Sequence, residues 1–123
     1  MQVKSYLLEE NLSLIKNLSL FYGENLGLKD EFKKKIKNKY AGVEVLRINQ
    51  DDILKNSSIF FREIDNFSLF EKKKIIFVDQ VNDKILDIII EARKNLNDTQ
   101  IYLFSDLLEK KSKLRKYFEE SQT

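Results

Sequence analysis

A chain of 123 residues with 42% hydrophobic content suffices for one domain around a single core, and 22 basic against 20 acidic side chains argue against a dedicated nucleic-acid grip. Cysteine and histidine are both absent, which excludes disulfide frameworks, thiolate metal sites, cysteine nucleophiles, and the commonest general base and transition-metal ligand. No apolar run approaches the roughly 18 residues of a membrane span and no signal-peptide pattern follows Met1, so a cytoplasmic, soluble protein without a membrane partner is expected.

Proline is absent and glycine occurs three times, so the sequence shows no linker, no repeat and no internal boundary; residues 1–123 read as one domain. Ser5 can cap a first helix to about Lys16, with Leu8, Leu12 and Ile15 spaced as one helical face. Leu18 to Tyr22 is an apolar strand that stops at Gly23. A helix from about Leu28 to Tyr40 follows, with Leu28, Phe32, Ile36 and Tyr40 on one side and Lys33, Lys34, Lys35, Lys37 and Lys39 elsewhere. Val43 to Ile48 alternates as a second strand. Asp51 and Asp52 open a helical stretch whose acidic start suits the helix dipole, and Ser57 or Ser58 caps a further turn through Phe60, Phe61 and Ile64. Ile75 to Val78 is a short apolar run flanked by charge, as expected of a strand buried on both faces. A helix from about Asp83 to Leu96 has a broad apolar face, Ile101 to Phe104 is a fourth buried strand, and a last helix covers roughly Ser112 to Glu119. Short apolar strands alternating with helices predict a three-layer α/β fold: a parallel sheet with helices on both faces and right-handed crossovers.

Ligands of such sheets bind beyond the carboxyl ends of the strands. The first strand ends in Gly23-Glu24-Asn25-Leu26-Gly27-Leu28-Lys29-Asp30, where a phosphate loop G-x-x-x-x-G-K-[ST] would lie. Lys29 falls at the lysine position, but Leu28 replaces the second glycine and Asp30 the Ser/Thr. Leucine brings bulk where backbone must approach phosphate, and aspartate repels it. The third strand ends Asp79-Gln80, an acid without the carboxylate that would activate water. Both defects fall at the correct strand ends and point to a degenerate nucleotide site: no ATP, metal or other cofactor is expected, and no catalytic residue. The alternative for Lys29 and Asp79 is that they are ordinary solvated ends of elements. The pairs Glu9-Glu10, Asp51-Asp52 and Glu119-Glu120 are explained by helix starts and solvated faces. Lys110, Lys111, Lys113, Arg115 and Lys116 form a basic cluster equally compatible with phosphate contact and with a solvated face.

Ahead of the third strand, Phe67, Leu69 and Phe70 crowd into five residues of a connection, which would normally run over the surface. They are either core or offered to a partner. Asn66-Phe67-Ser68-Leu69-Phe70 followed by a basic segment and an apolar strand resembles the delta-subunit family of the bacterial DNA polymerase III clamp loader. Phe21-Tyr22-Gly23-Glu24, Ile101-Tyr102-Leu103-Phe104 and the run Leu108 to Leu114 resemble that family at its first strand, its fourth strand and the lysine-bearing turn after it. The resemblance spans nearly the whole chain. It implies an amino-terminal AAA+-like (P-loop NTPase-type) domain without ATP, in which Phe67, Ser68, Leu69 and Phe70 bind the sliding clamp, the beta subunit, and help open it for DNA replication. It also implies that the first strand neighbours the fourth and the fourth neighbours the third. Other clamp-loader subunits would be partners of a full-length chain, DNA would be met indirectly, and polymerase activity would belong to the holoenzyme. Asn66 departs from the glutamine that heads the general clamp-binding pentapeptide. The sequence shows no closing strand, lid or collar domain, and suggests a domain cut from something longer. Two rival readings use the same strand ends: a working P-loop-type ATPase or switch domain, and a receiver-like domain with Asp79 as phospho-acceptor. The receiver reading lacks the acidic pair expected near the end of the first strand.

Overall fold

The computed structural model describes residues 12–15, 17–23, 26–65, 74–94, 96, 99–106 and 108–120. Its strands are β1 (Leu12–Ile15), β2 (Leu18–Tyr22), β3 (Glu44–Asn49), β4 (Lys74–Asp79) and β5 (Thr99–Ser105). Its helices are α1 (Leu26–Lys39), α2 (Gln50–Lys55), α3 (Ser57–Asp65), α4 (Leu86–Arg93) and α5 (Lys113–Glu120), with a 3-10 turn at Asp83–Ile85 ahead of α4. One sheet runs in the order β1-β2-β5-β4-β3. β2, β5, β4 and β3 are all parallel, so the neighbours anticipated for the first, third and fourth apolar runs are the neighbours found.

The parallel strands bury alternate residues on opposite faces, as a period of two requires. Leu18, Leu20 and Tyr22 of β2, Ile76 and Val78 of β4, and Ile101 and Leu103 of β5 meet Ile53, Phe60, Ile64, Ile89, Leu114 and Phe118 from α2, α3, α4 and α5. Phe21, Ile75, Phe77, Tyr102 and Phe104 face the other way and meet only Phe32 and Ile36 of α1 within their buried cluster. Helices thus cover both faces, giving the three-layer α/β arrangement.

The opening segment differs from the helix expected up to Lys16. Residues 12–15 are β1, antiparallel to β2 with Leu12 opposite Phe21 and Ile15 opposite Leu18. Leu12 and Ile15 suit one helical face, but so short an apolar run fits a strand equally, and a bare strand edge beside them decides the matter. Two residues join the strands, and Asn17 holds φ +63°, the left-handed conformation that tight hairpins need and asparagine tolerates. The Asn17 carbonyl also accepts from Ile101 N, tying the hairpin to β5. Residues 5–11 of the expected helix lie outside the described residues.

Candidate functional site

α1 crosses the aromatic face to carry the chain from β2 to the far edge at β3. The returns from β3 to β4 and from β4 to β5 use the opposite face. The connections therefore diverge between β2 and β5, and the carboxyl ends of these strands flank the crevice where an α/β sheet would take a ligand. β2 leaves it through Gly23, whose φ of +151° is disfavoured for residues with a Cβ.

Lysines of α1 occupy this crevice. Lys29 is 5% exposed, and its Nζ lies 3.5 Å from Oδ1 of the fully exposed Asp106, just past β5. One turn later Lys33 is also buried; its Nζ pairs with Asp79 Oδ1 at 2.5 Å and stands 4.5 Å from the centre of the Phe104 ring. Lys29, Phe32, Lys33 and Ile36 form a single buried stripe, and along it both ammonium groups reach acids at the strand ends, Lys33 past the Phe104 ring. Lys29 and Asp79, the sequence candidates, come to the same end of the sheet but pair with partners the sequence reading did not single out. Burial of Lys29 also sets it apart from a solvated helix end. Leu28 packs half-buried against the aromatic cluster, Asp30 points to solvent, and Gln80 is exposed at φ +58°. One signal for Lys33 was present: it stands four residues after Lys29 and one after Phe32, on the inward stripe.

Two further polar linkages shape the same rim. Gln50, 2% exposed, donates from Nε2 to Asn82 Oδ1 at 3.0 Å and accepts from Asn82 N at 2.7 Å, tying the end of β3 to the loop after β4. Asp83 caps α5 across 29 or more residues of sequence: Oδ1 accepts from Ser112 Oγ (2.6 Å) and Leu114 N (3.1 Å), and Oδ2 from Lys113 N (3.1 Å). Burial works to raise the Asp83 pKa, but the hydrogen bonds from Ser112, Leu114 and Lys113 and the charge of Lys113 outweigh it and hold the carboxyl below its ordinary value.

A cleft of about 490 Å3 beside this cap is lined by Asn82, Lys84, Leu108, Lys111 and Lys113 among others. Of the basic cluster, Arg115 serves the fold: it donates to Glu119 Oε1 (2.6 Å) and the Leu108 carbonyl (2.9 Å) and lies over the Tyr22 ring. Lys111 pairs at the surface with Glu109, and Lys110, Lys113 and Lys116 are exposed. On the aromatic face, burial and the neighbouring Tyr40 push the Tyr102 phenol up to about 12.

Phe67, Ser68, Leu69 and Phe70 lie outside the described residues. Their flanks are α3, ending at Asp65, and β4, starting at Lys74. In α3, Phe60 and Ile64 are buried and Phe61 packs partly buried on the same core. Among the described residues no group of acids could hold a metal, and no helix is long and apolar enough to cross a membrane.

The fold and the crevice define a three-layer α/β domain whose strand-end lysines are internally paired. No protein-family model, no curated protein and no solved structure matches the chain.

Proposed function

We propose that this chain is an AAA+-like, clamp-loader delta-type domain that binds a sliding clamp through Phe67, Ser68, Leu69 and Phe70 and contributes no catalysis itself. The observation that carries the reading is the apolar cover that α3 gives the sheet. Phe60, Ile64 and Phe61 give the sheet beside β4 apolar cover of its own, which favours a partner as the destination of the second apolar cluster at 67–70. Two features support it. The sheet order β2-β5-β4 is the one the family resemblance implies. The lysine and acid at the nucleotide-site positions, Lys29 and Asp79, are paired with Asp106 and Lys33, as suits a site that holds no ATP.

Burying a Leu or Phe side chain contributes roughly 1.5–3 kcal/mol, so Leu69 and Phe70 together supply about 3–6 kcal/mol of an interface. Replacing both by alanine should weaken clamp binding by on the order of tenfold to several hundredfold, measured by surface plasmon resonance on immobilised clamp. The melting temperature should stay within a few degrees of the parent. A double variant that melts early assigns the pair to the core, and one that binds the clamp at full strength rejects the interface.

A further inference from the structure

We propose that the cleft beside the α5 cap is a phosphate-binding site, taking the phosphate of an organic ester among Lys84, Lys111 and Lys113. One wall is the loop leaving β4, with Asn82 and Lys84, and the other is the turn ahead of α5, with Leu108 and Lys111. Both walls lie past the carboxyl ends of β4 and β5, adjacent parallel strands, where α/β sheets take ligands. The volume of about 490 Å3 is that of a small-molecule pocket.

The walls are fixed from behind. Gln50 holds Asn82 through two hydrogen bonds, Arg115 Nη1 donates to the Leu108 carbonyl at 2.9 Å, and Ser112 Oγ donates to Asp83. A site held in this way loses little entropy on binding. Leu108 and the lysine stems supply an apolar lining, and the ammonium groups supply charge. That combination suits a phosphate carried on an organic group.

The fold does not use up these charges. Two acids share the lining, and both are engaged: Asp83 accepts from Ser112 Oγ, Lys113 N and Leu114 N, and Glu109 pairs with Lys111 at 3.3 Å. The Glu109–Lys111 pair is exposed on both sides, so an incoming anion can replace it at small cost. Lys84 and Lys113 have no ion pair of their own among the described residues, although the charge of Lys113 acts on Asp83. Cations at a helix amino terminus oppose its dipole, yet α5 opens with Lys113 and has no acid in its first turn. A solvated face has no need of lysines at the helix end where they are unfavourable, and local rules are broken most often at functional sites.

The helix end itself is not the site. Asp83 takes the amides of Lys113 and Leu114, the Arg115 amide donates to Ser112 Oγ at 3.3 Å, and the Lys116 amide donates to the Ser112 carbonyl at 3.0 Å. An anion in the cleft meets side-chain ammonium groups, the donors of charge-assisted hydrogen bonds.

The test titrates the parent chain with inorganic phosphate, phenyl phosphate and a short single-stranded oligonucleotide, following backbone amide shifts by NMR, with acetate as the control anion. Saturable shifts at Lys84, Lys111 and Lys113 with phosphate and its esters, and none with acetate, are expected. Lys84→Gln combined with Lys113→Gln should weaken phenyl phosphate binding about tenfold, whereas Lys34→Gln combined with Lys37→Gln on α1 should leave it near the parent. The melting temperature of Lys113→Gln should hold or rise slightly, since a cation leaves the helix amino terminus. Phenyl phosphate bound as tightly as the oligonucleotide supports the site with a small ester as its ligand. An oligonucleotide bound about tenfold tighter, with a salt dependence that falls in the Lys84 and Lys113 double variant, supports it with a nucleic-acid backbone as the source of the phosphate. Absent shifts, an equal response to acetate, or equal losses in the two double variants would overturn the site. An early melt of Lys113→Gln would assign that lysine to the fold and overturn it too. None of these readouts involves the clamp.

Discussion

The two faces of the sheet are built differently. Four of the described helices cover one face, and apart from Tyr22, Phe60 and Phe118 the described residues of its buried layer are aliphatic. The other face has α1 alone among the described helices, over Phe21, Phe77, Tyr102 and Phe104. Rings fill the wider space that a single helix leaves. Phe32 sits 5.4 Å from Phe21 and 5.7 Å from Tyr102 between ring centres, and Phe77 meets Phe104 edge-on at 5.5 Å. The same thinness lets Lys29 and Lys33 reach from the helix to acids at the strand ends. The face with many helices shares its load among many side chains, whereas the aromatic face concentrates its load on one helix.

That contrast predicts unequal sensitivity to truncation. Phe32→Ala should cost about 3–5 kcal/mol, near the total stability of a small domain, because α1 is the only described helix on that face. Ile89→Ala, equally buried under the aliphatic face, should cost about 2–4 kcal/mol as neighbours on three other helices relax into the space. Urea melts of the two variants decide it, and a larger loss for Ile89→Ala would break the comparison. The next effect belongs to the Lys33–Asp79 pair. Asp79→Leu strands a buried ammonium and should cost about 2 kcal/mol, less than a fully buried pair because Asp79 is 28% exposed. Lys33→Met should cost less than Asp79→Leu, since the carboxylate left behind can hydrate, and the double variant should return close to the parent. Equal penalties for the two single changes would mean that the crevice admits water freely.

The smallest effect sharpens the view of the four-helix face. Asp83→Ala removes the remote cap of α5 and should cost about 1 kcal/mol at neutral pH. Because the folded-state pKa of Asp83 lies below the ordinary 3.8, the unfolded chain takes up the proton first as the solution is acidified. The cap's contribution is therefore whole above about pH 4 and declines as pH falls through the depressed folded value. The gap between parent and Asp83→Ala in acid urea melts should narrow over that window; a gap that widened would contradict the hydrogen-bond origin of the shift.

Much of the sheet was legible in the chain itself. Ile75–Val78 and Ile101–Phe104 are apolar without interruption and Leu18–Tyr22 is broken only by Ser19, which marks them as strands buried on both faces wherever they come to lie. The phosphate-loop defects at Leu28 and Asp30 were equally local, as was the crowding of Phe67, Leu69 and Phe70. Partnerships between distant positions were not legible. Lys33 among five near-identical lysines gave little sign that its ammonium would find Asp79, and Asp83 looked like an ordinary helix start though it caps a helix beginning 30 residues later. That Lys74 would meet the Glu63 carbonyl depended on where α3 packs. Leu12–Ile15 carried a spacing that fits helix and strand alike. Sequence fixes what a segment can bury, because burial depends on its own side chains. Which charge meets which acid, and whether a short ambiguous run joins an open strand edge, depends on groups that only the folded chain brings within a few ångströms.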